Sequence, residues 1–381
     1  MENLMEQNSL ADQSTNATKK TIASEVDWSM VLFLVIVPLV GIAGLVWQLI
    51  EGHVTWWHVV FALIYAAIAN LGITGGYHRL FAHKSYEAHP IVEIGYLLIA
   101  SAAWQGSALK WASDHRRHHT FEDTDGDPYA ITKGFWHAHM GWLLDKQYVN
   151  LPIRAADLQK KPWINFQNKH YAVIATIMGF GVPTLAGYFM GSALAGFFVG
   201  GLLRAVVNQQ SGFVINSLCH MFGHQTYSKE ITARDSFILA LFTHGEGYHN
   251  FHHKFQLDYR NGVRWYHWDP TKWAIWSLSL VGLAKKLRRM PATEILKAKL
   301  QSEEFAIKAR GVSHEMVESM QKRVLQAQVR WRELVEEYNR KKKEMAEASH
   351  VRMEELRAEI EKARLEFNYA LKLWRLEVRR S

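Results

Sequence analysis

Trp56-Trp-His-Val-Val-Phe-Ala-Leu-Ile-Tyr-Ala-Ala-Ile-Ala-Asn-Leu-Gly-Ile-Thr-Gly-Gly-Tyr-His78-Arg-Leu-Phe-Ala-His83 is an apolar stretch that runs directly into two histidines. About 20 apolar residues suffice to cross a bilayer, so the part from about 56 to 76 reads as a membrane span. Two further clusters, His115-Arg-Arg-His118-His119 and His249-Asn-Phe-His252-His253, also lie just past apolar sequence. Neutral imidazole is the commonest side-chain ligand for Fe, Cu, Ni and Zn. Eight imidazoles in three tight groups exceed what one four-coordinate ion uses. The expectation is an all-α integral membrane enzyme that holds two metal ions near the bilayer surface and performs oxygen chemistry on an apolar substrate.

Helical geometry sharpens the clusters. Residues at i, i+3 and i+4 share a face, so His115, His118 and His119 converge, and so do His249, His252 and His253. His78 and His83 are five apart, about 140° round an ideal helix, so both ligate only if the helix ends between them. Asn216 and His220 are four apart at the end of another apolar stretch; His220 is a ninth candidate ligand, and Asn216 could hold a metal-bound water. Glu246, in Glu246-Gly-Tyr-His249, and Asp114, next to His115, are candidates for orienting ligand imidazoles. Ligand type alone does not select iron over copper or zinc.

Working outward, further spans are expected at about 28–50, 170–190 and 192–217, four in all. A shorter apolar stretch at about 91–108, holding Glu93, reads as a buried or interfacial helix. The connections at about 51–55 and 191–193 lack Lys and Arg, whereas the segments after spans two and four are rich in both. The positive-inside rule then places both termini and all three histidine clusters on the cytoplasmic side. Span four carries Arg204, Asn208, Gln209 and Gln210, which either hydrogen-bond between helices or line a substrate tunnel.

Composition bounds the rest. The 381 residues are 49% hydrophobic with a formal net charge of +8, which suits anionic lipid or an acidic protein partner. No nucleic-acid motif accompanies the charge, so nucleic acid is not an expected partner. The single cysteine, Cys219, excludes an internal disulfide and a cysteine-based zinc or iron–sulfur site. The chain divides into a polar tail, 1–25, with no cleavable signal peptide expected; a membrane region, 26–299; and a charged tail, 300–381. In that tail Val317, Val324, Trp331, Tyr338 and Met345 repeat every seven residues, with Met320, Ala327 and Leu334 three residues later. A second run, Met353, Ile360, Phe367 and Trp374, is shifted by one residue. The pattern predicts a long amphipathic, coiled-coil-like helix that self-associates, packs back or lies on the membrane.

With their flanks, these clusters resemble the membrane fatty acyl desaturases of the stearoyl-CoA type, over roughly residues 28–290. The resemblance is carried by Gly72-Ile-Thr-Gly-Gly-Tyr-His78-Arg-Leu-Phe-Ala-His83, Asp114-His115-Arg-Arg-His118-His119, Gly134-Phe-Trp-His-Ala-His-Met-Gly141-Trp142, Asn216-Ser-Leu-Cys-His220 and Gly245-Glu-Gly-Tyr-His249-Asn-Phe-His-His253. The stretch Asp258-Tyr-Arg-Asn-Gly-Val-Arg-Trp-Tyr266, followed by Asp269-Pro-Thr-Lys272, is similar to fungal members. The resemblance implies four transmembrane helices under a cytoplasmic helical cap, and two Fe2+ ions held by His78, His83, His115, His118, His119, His220, His249, His252 and His253. It also implies a water ligand held by Asn216. The activity implied is O2-dependent insertion of a cis double bond, typically delta-9, into saturated C16–C18 acyl chains, with electrons from ferredoxin, rubredoxin or cytochrome b5 and its reductase. Gln105, Trp111 and Phe213 match residues near a kink in the family's substrate tunnel.

The sequence departs from that pattern in two places. Members that grip coenzyme A carry Arg where this chain has Ser113, so an acyl lipid stands beside acyl-CoA as substrate, with Lys146 available to a headgroup. Fungal members continue into a cytochrome b5 domain, and here the 300–381 segment stands in its place. Ala62, Ala66 and Ala69 rise along span two, Ala66 roughly 18 Å from His78 at 1.5 Å per residue. These alanines either leave room for an acyl tail or permit close helix packing. Two rival functions stand, a membrane di-iron hydroxylase of alkanes or acyl chains and a metal-transport or storage protein; an independent scaffold role for the tail is compatible with any catalytic function.

Overall fold

Apolar side chains all round a helix, rather than along one stripe, need an apolar solvent on most sides. Helix α1 (Trp28–Ile50) is of this kind: Leu39 and Ile50 are 61% and 79% exposed, and only Gly41, Gly44 and Gln48 are buried. The computed structural model describes residues 25–344 and 350–380; the rest of the expected N-terminal tail and Met345 of the heptad lie outside the described residues. The chain is mainly helical. Among the described residues three helices are long and apolar enough to cross a membrane: α1, α2 (Trp56–Ala82) and, after the shorter α3 (Pro90–Ser101) and α4 (Ala108–Phe121), α5 (Tyr171–Phe189). By length and composition this is a membrane protein. The fourth expected stretch is also helical, α6 at 193–216, but its polar residues lower its hydropathy below that of the other three.

Those polar residues divide between the two roles left open above. Buried Arg204 donates to the carbonyls of Gly179 (2.7 Å), Gly200 (2.9 Å) and Ala102 (2.5 Å), and Asn208 Nδ2 donates to Ala66 O at 2.8 Å. Gly179 and Gly200 lie in wide π-type turns, at 177–181 and 196–203, where a side-chain donor on the carbonyls offsets the disturbed backbone ladder. Gln209 does both: its Nε2 donates to Trp104 O at 3.3 Å, and it lines a cavity described below. Where α1 crosses α6, a Cβ at Gly44 would lie 2.1 Å from Phe198, so only glycine permits that approach.

The short helix α3 is buried along one side, and its Glu93 accepts from Lys161 Nζ (2.6 Å) and Trp163 Nε1 (2.8 Å). A group of short elements follows. It contains α7 (Phe237–Phe242), α8 (His249–Lys254), α9 (Pro270–Leu280) and a two-stranded antiparallel pair, β1 (Glu87–Ala88) with β2 (Ala284–Lys285).

The C-terminal region differs from the single long helix expected. It forms α10 (Ala292–Lys308), α11 (His314–Glu344) and α12 (His350–Arg379), with α11 and α12 packed antiparallel. Trp331 stacks on Phe367, and Arg357 donates to the Tyr338 hydroxyl. The two heptad runs fall on different helices, and each helix turns its own stripe toward the other. Leu300, Ile307, Val317, Val324 and Trp374 are its buried core.

Candidate metal centre

The first histidine pair shows how local winding builds the site. The helix does not end between His78 and His83, as expected above; it widens into a π-helix from Gly72 to Ala82. His83 N–H donates to His78 O at 3.0 Å, an i+5 bond. A π turn needs more residues than an α turn, so five residues bring both rings to one face, centroids 4.8 Å apart. On α4, His115, His118 and His119 project together, and on α8 so do His249, His252 and His253. Asn216 and His220 do not share a continuous helix: α6 stops at Asn216, and a 3-10 turn, Leu218–His220, carries His220.

Nine imidazoles gather into two groups. His78, His83, His115, His119 and His252 form one; His118, His220, His249 and His253 form the other, with the ligand atoms of each group within 4.8 Å of one another. Both α4 and α8 feed both groups, which locks the two together. The ε nitrogens turn inward: His83 to His115 is 2.8 Å, His78 to His252 3.0 Å, His119 to His252 3.0 Å, His249 to His253 3.0 Å and His118 to His253 3.4 Å. His220 Nε2 is buried with no hydrogen-bond partner.

Several δ nitrogens face backing groups, while those of His119 and His249 are buried without a hydrogen-bond partner. His78 Nδ1 lies 2.9 Å from Glu246 Oε2, and His118 Nδ1 2.9 Å from Asp127 Oδ2. His220 Nδ1 lies 2.7 Å from Thr232 Oγ1, whose hydroxyl donates to Asp123 at 2.7 Å. Glu122 Oε2 comes to 2.8 Å from His253 Nδ1, out of line for a hydrogen bond. An imidazole whose δ N–H is engaged leaves its ε lone pair free. Burial first, then the neighbouring cationic and imidazole groups, push the pKa values of His83, His115, His119, His249, His252 and His253 well below normal, so the rings are neutral. Neutral lone pairs facing one another repel unless a cation lies between them. For nitrogen–metal bonds of about 2.1 Å at right angles, the nitrogens stand about 3.0 Å apart, which matches the spacings here. The residues present fit metal ions.

Behind His78 lies a buried charged bracket. Arg79 donates to Glu246 Oε1 (2.9 Å), Asp269 Oδ2 (3.1 Å) and Tyr259 O (2.9 Å), and Asn261 Nδ2 donates to Glu246 Oε2 at 2.6 Å. Burial alone would raise the Glu246 carboxyl, but His78 and Arg79 outweigh it and hold it down, at about 2. Gly245 has φ +97°, and a Cβ there would meet Asp269 Oδ1 at 2.6 Å, so the bracket closes only over glycine. Asp114, in contrast, accepts from Lys110 Nζ at 2.6 Å, and none of its hydrogen bonds goes to a histidine. Burial raises its carboxyl to about 6.

A cavity of about 240 Å3 reaches this centre. Gln105, Trp111, Phe213 and Asn216 line it, with Met30, Leu34, Trp104, Gln209 and the rings of His78, His115, His118 and His249. Trp111 stacks on His115 at 4.9 Å, and Gln105 Nε2 donates to Asn208 O at 2.9 Å. Ala66 is not among the lining residues; it is buried under Asn208. Ser113 is buried and accepts the Arg154 N–H at 2.6 Å, while half-buried Lys146 lies 3.2 Å from Glu25.

Sequence reasoning missed Glu122, Asp127, Thr232, Arg79, Asn261 and Asp269. The acidic run Glu122-Asp123-Thr-Asp125-Gly-Asp127, directly after a histidine-rich helix, was a usable signal for the first two. Nothing local marks Thr232.

The family model described as fatty acid desaturase matches residues 54–280. A probable acyl-CoA desaturase of Schizosaccharomyces pombe is 40% identical over 281 residues, 73% of this chain and 58% of that protein. Acyl-CoA desaturase 1 of Saccharomyces cerevisiae is 42% identical over 251 residues, covering 65% and 49%. Stearoyl-CoA desaturase 5 of Homo sapiens is 34% identical over 241 residues, covering 61% and 73%. The chain thus spans between about half and three-fifths of the length of the two yeast relatives.

Proposed function

The chain belongs to the fatty acid desaturase family, and from that premise we propose that it is an O2-dependent acyl desaturase that introduces a cis double bond, at the delta-9 position, into saturated C16–C18 chains carried on coenzyme A. The observation that carries the reading is the pair of inward-facing imidazole groups at the end of an apolar cavity. The proposal includes four transmembrane helices, α6 being the fourth, under a cap that lies with both termini on the cytoplasmic side. Residues 26–299 form the desaturase region and 300–381 the charged tail. The positive-inside bias supports this orientation.

In this reading the nine histidines hold two irons, five on one and four on the other, with Asn216 beside a water. When bound, the iron pair would supply the oxidising power to remove two hydrogens from adjacent unactivated methylenes; O2 goes to two waters with four electrons, two from the C–H bonds and two, with two protons, from outside. The side chains do the rest. Asp127 Oδ2 accepts the His118 δ N–H, Glu246 takes that of His78, and each fixes its ring with the ε nitrogen inward. Gln105, Trp111 and Phe213 shape the cavity wall that registers one carbon pair against the centre. Trp104, Met30 and Leu34 make a wall that excludes water. Electrons come from a ferredoxin, rubredoxin or cytochrome b5, drawn to a basic surface.

The test is lipid analysis of cells that express this chain, with the double-bond position mapped. New monounsaturated C16 and C18 chains with the bond between carbons nine and ten are expected. Alcohols in place of alkenes would make it a hydroxylase instead.

A further inference from the structure

Helix α8 carries three of the nine histidines on only six residues. A helix of fewer than two turns has no stability of its own, so its orientation is set by what packs on it. His249, His252 and His253 occupy the face toward the metal centre. Phe251 occupies the opposite face, and Phe255, just past the end of the helix, packs on it with ring centroids 5.1 Å apart. Both are buried, 1% and 8% exposed, and the third buried member of their cluster is Ala298 of α10, with Ile295 of α10, Tyr227, Val263 and Met290 around it. One turn on from Ala298, Ser302 donates to Gln225 O at 2.8 Å, pinning α10 to the same loop region.

The other side of α10 is occupied too. Ile295, Ala298 and Ser302 share one face at helical spacing, while Leu300 and Ile307 point elsewhere, into the core with Val317, Val324 and Trp374 of the hairpin. Helix α10 is therefore a wedge, with the metal-bearing helix on one side and the hairpin on the other.

We propose that α10 is a positioning element for the metal centre, with Ala298 its contact residue, and that the C-terminal three-helix unit and the His249–His253 segment are energetically coupled through it. This rests on the reading of the nine histidines as metal ligands. Coupling between two sites is reciprocal. Whatever loosens α10 lowers metal affinity at the group fed by His249 and His253, and metal binding in turn protects α10. A tail that merely hangs from the catalytic region would show neither effect.

The experiment uses the full chain in detergent, with ferrous iron added under argon. Backbone amide exchange is followed in segments 249–255, 292–308 and 171–189. Iron is expected to slow exchange in 249–255 and, several-fold, in 292–308, with 171–189, which carries none of the nine histidines, unchanged as the control. In parallel, Ala298→Trp is expected to lower iron affinity about 10-fold, the scale of losses seen when groups behind metal ligands are disturbed, while Ala298→Ser keeps wild-type affinity. Because the exchange measurement needs no variant, a misfolded Ala298→Trp protein does not remove the test. Protection that appears in 249–255 but not in 292–308 overturns the coupling and leaves the metal reading intact. A wild-type chain that takes up no iron overturns the metal reading and the coupling with it.

Discussion

Around Arg79 and along the C-terminal hairpin the same two side-chain types, carboxylate and guanidinium, meet at similar distances. Arg79 lies 2.9 Å from Glu246 at 1% and 2% exposure; Arg364 lies 2.6 Å from Glu361 at 51% and 53%. The first pair is desolvated, so its geometry is rigid and its loss leaves an uncompensated charge. The second is screened by water and holds two long side chains that are equally content apart. Distance therefore says little about what a pair does, and burial says most. The inner pair also aims Glu246 at His78, so its rigidity passes to a ring of the candidate metal centre, whereas the outer pair decorates a helix surface.

The comparison can be broken at its strong end first. His118→Ala takes one of the four ligands from the smaller group; metal analysis should show iron falling from two to one or fewer per chain, with desaturation lost and membrane insertion kept. Arg79→Met leaves Glu246 and Asp269 buried without their cation, and thermal unfolding in detergent should show a loss of about 3–5 kcal/mol. A variant as stable as the wild type would show that the bracket is ornamental. Asp127→Asn keeps the shape but weakens the acceptor behind His118, and iron titration should show an affinity about 10–100-fold lower.

Two milder substitutions sharpen the contrast. Ala66→Leu overpacks the helix beneath Asn208 and should cost about 1–3 kcal/mol. Chromatography of products should show less product from C14, C16 and C18 substrates alike, with their ratio unchanged. A changed ratio would put Ala66 in the path of the acyl tail after all. Arg364→Ala, at the outer pair, should change stability by no more than about 0.5 kcal/mol and leave iron content untouched.

Much of the site was legible because ligation needs particular residue types at particular spacings. All nine histidines were named from chain position, and the structure gathers all nine. What was not legible came from long-range pairing. Asp269 looks like an ordinary turn acid, and only folding puts it behind Arg79, 190 residues away; Asp127, nine residues past His118, carried only the weaker signal of its acidic run. Asp114, adjacent to a ligand in sequence, points along its own helix to Lys110 instead. Periodicity found the apolar helices and the heptads, but it carried no information on where α11 turns back into α12, since both arms repeat every seven residues. Ala66 was placed by height along a helix axis, and height does not tell which way the cavity runs.

The widened turn that carries His78 and His83 bears on how this site came to be assembled. His115 with His119, and His249 with His253, are pairs one α turn apart; His78 with His83 is a pair one π turn apart. Measured in turns, the three segments are one repeated device, and the first contains a single additional residue that the backbone absorbed by loosening its winding rather than by losing a ligand. Spacing in residues is thus a derived property here, and angular position about the helix axis is the quantity held fixed. Deleting one residue between His78 and His83 would return that turn to α winding with the two rings still on one face, and the displacement would fall instead on the membrane helix that leads into it.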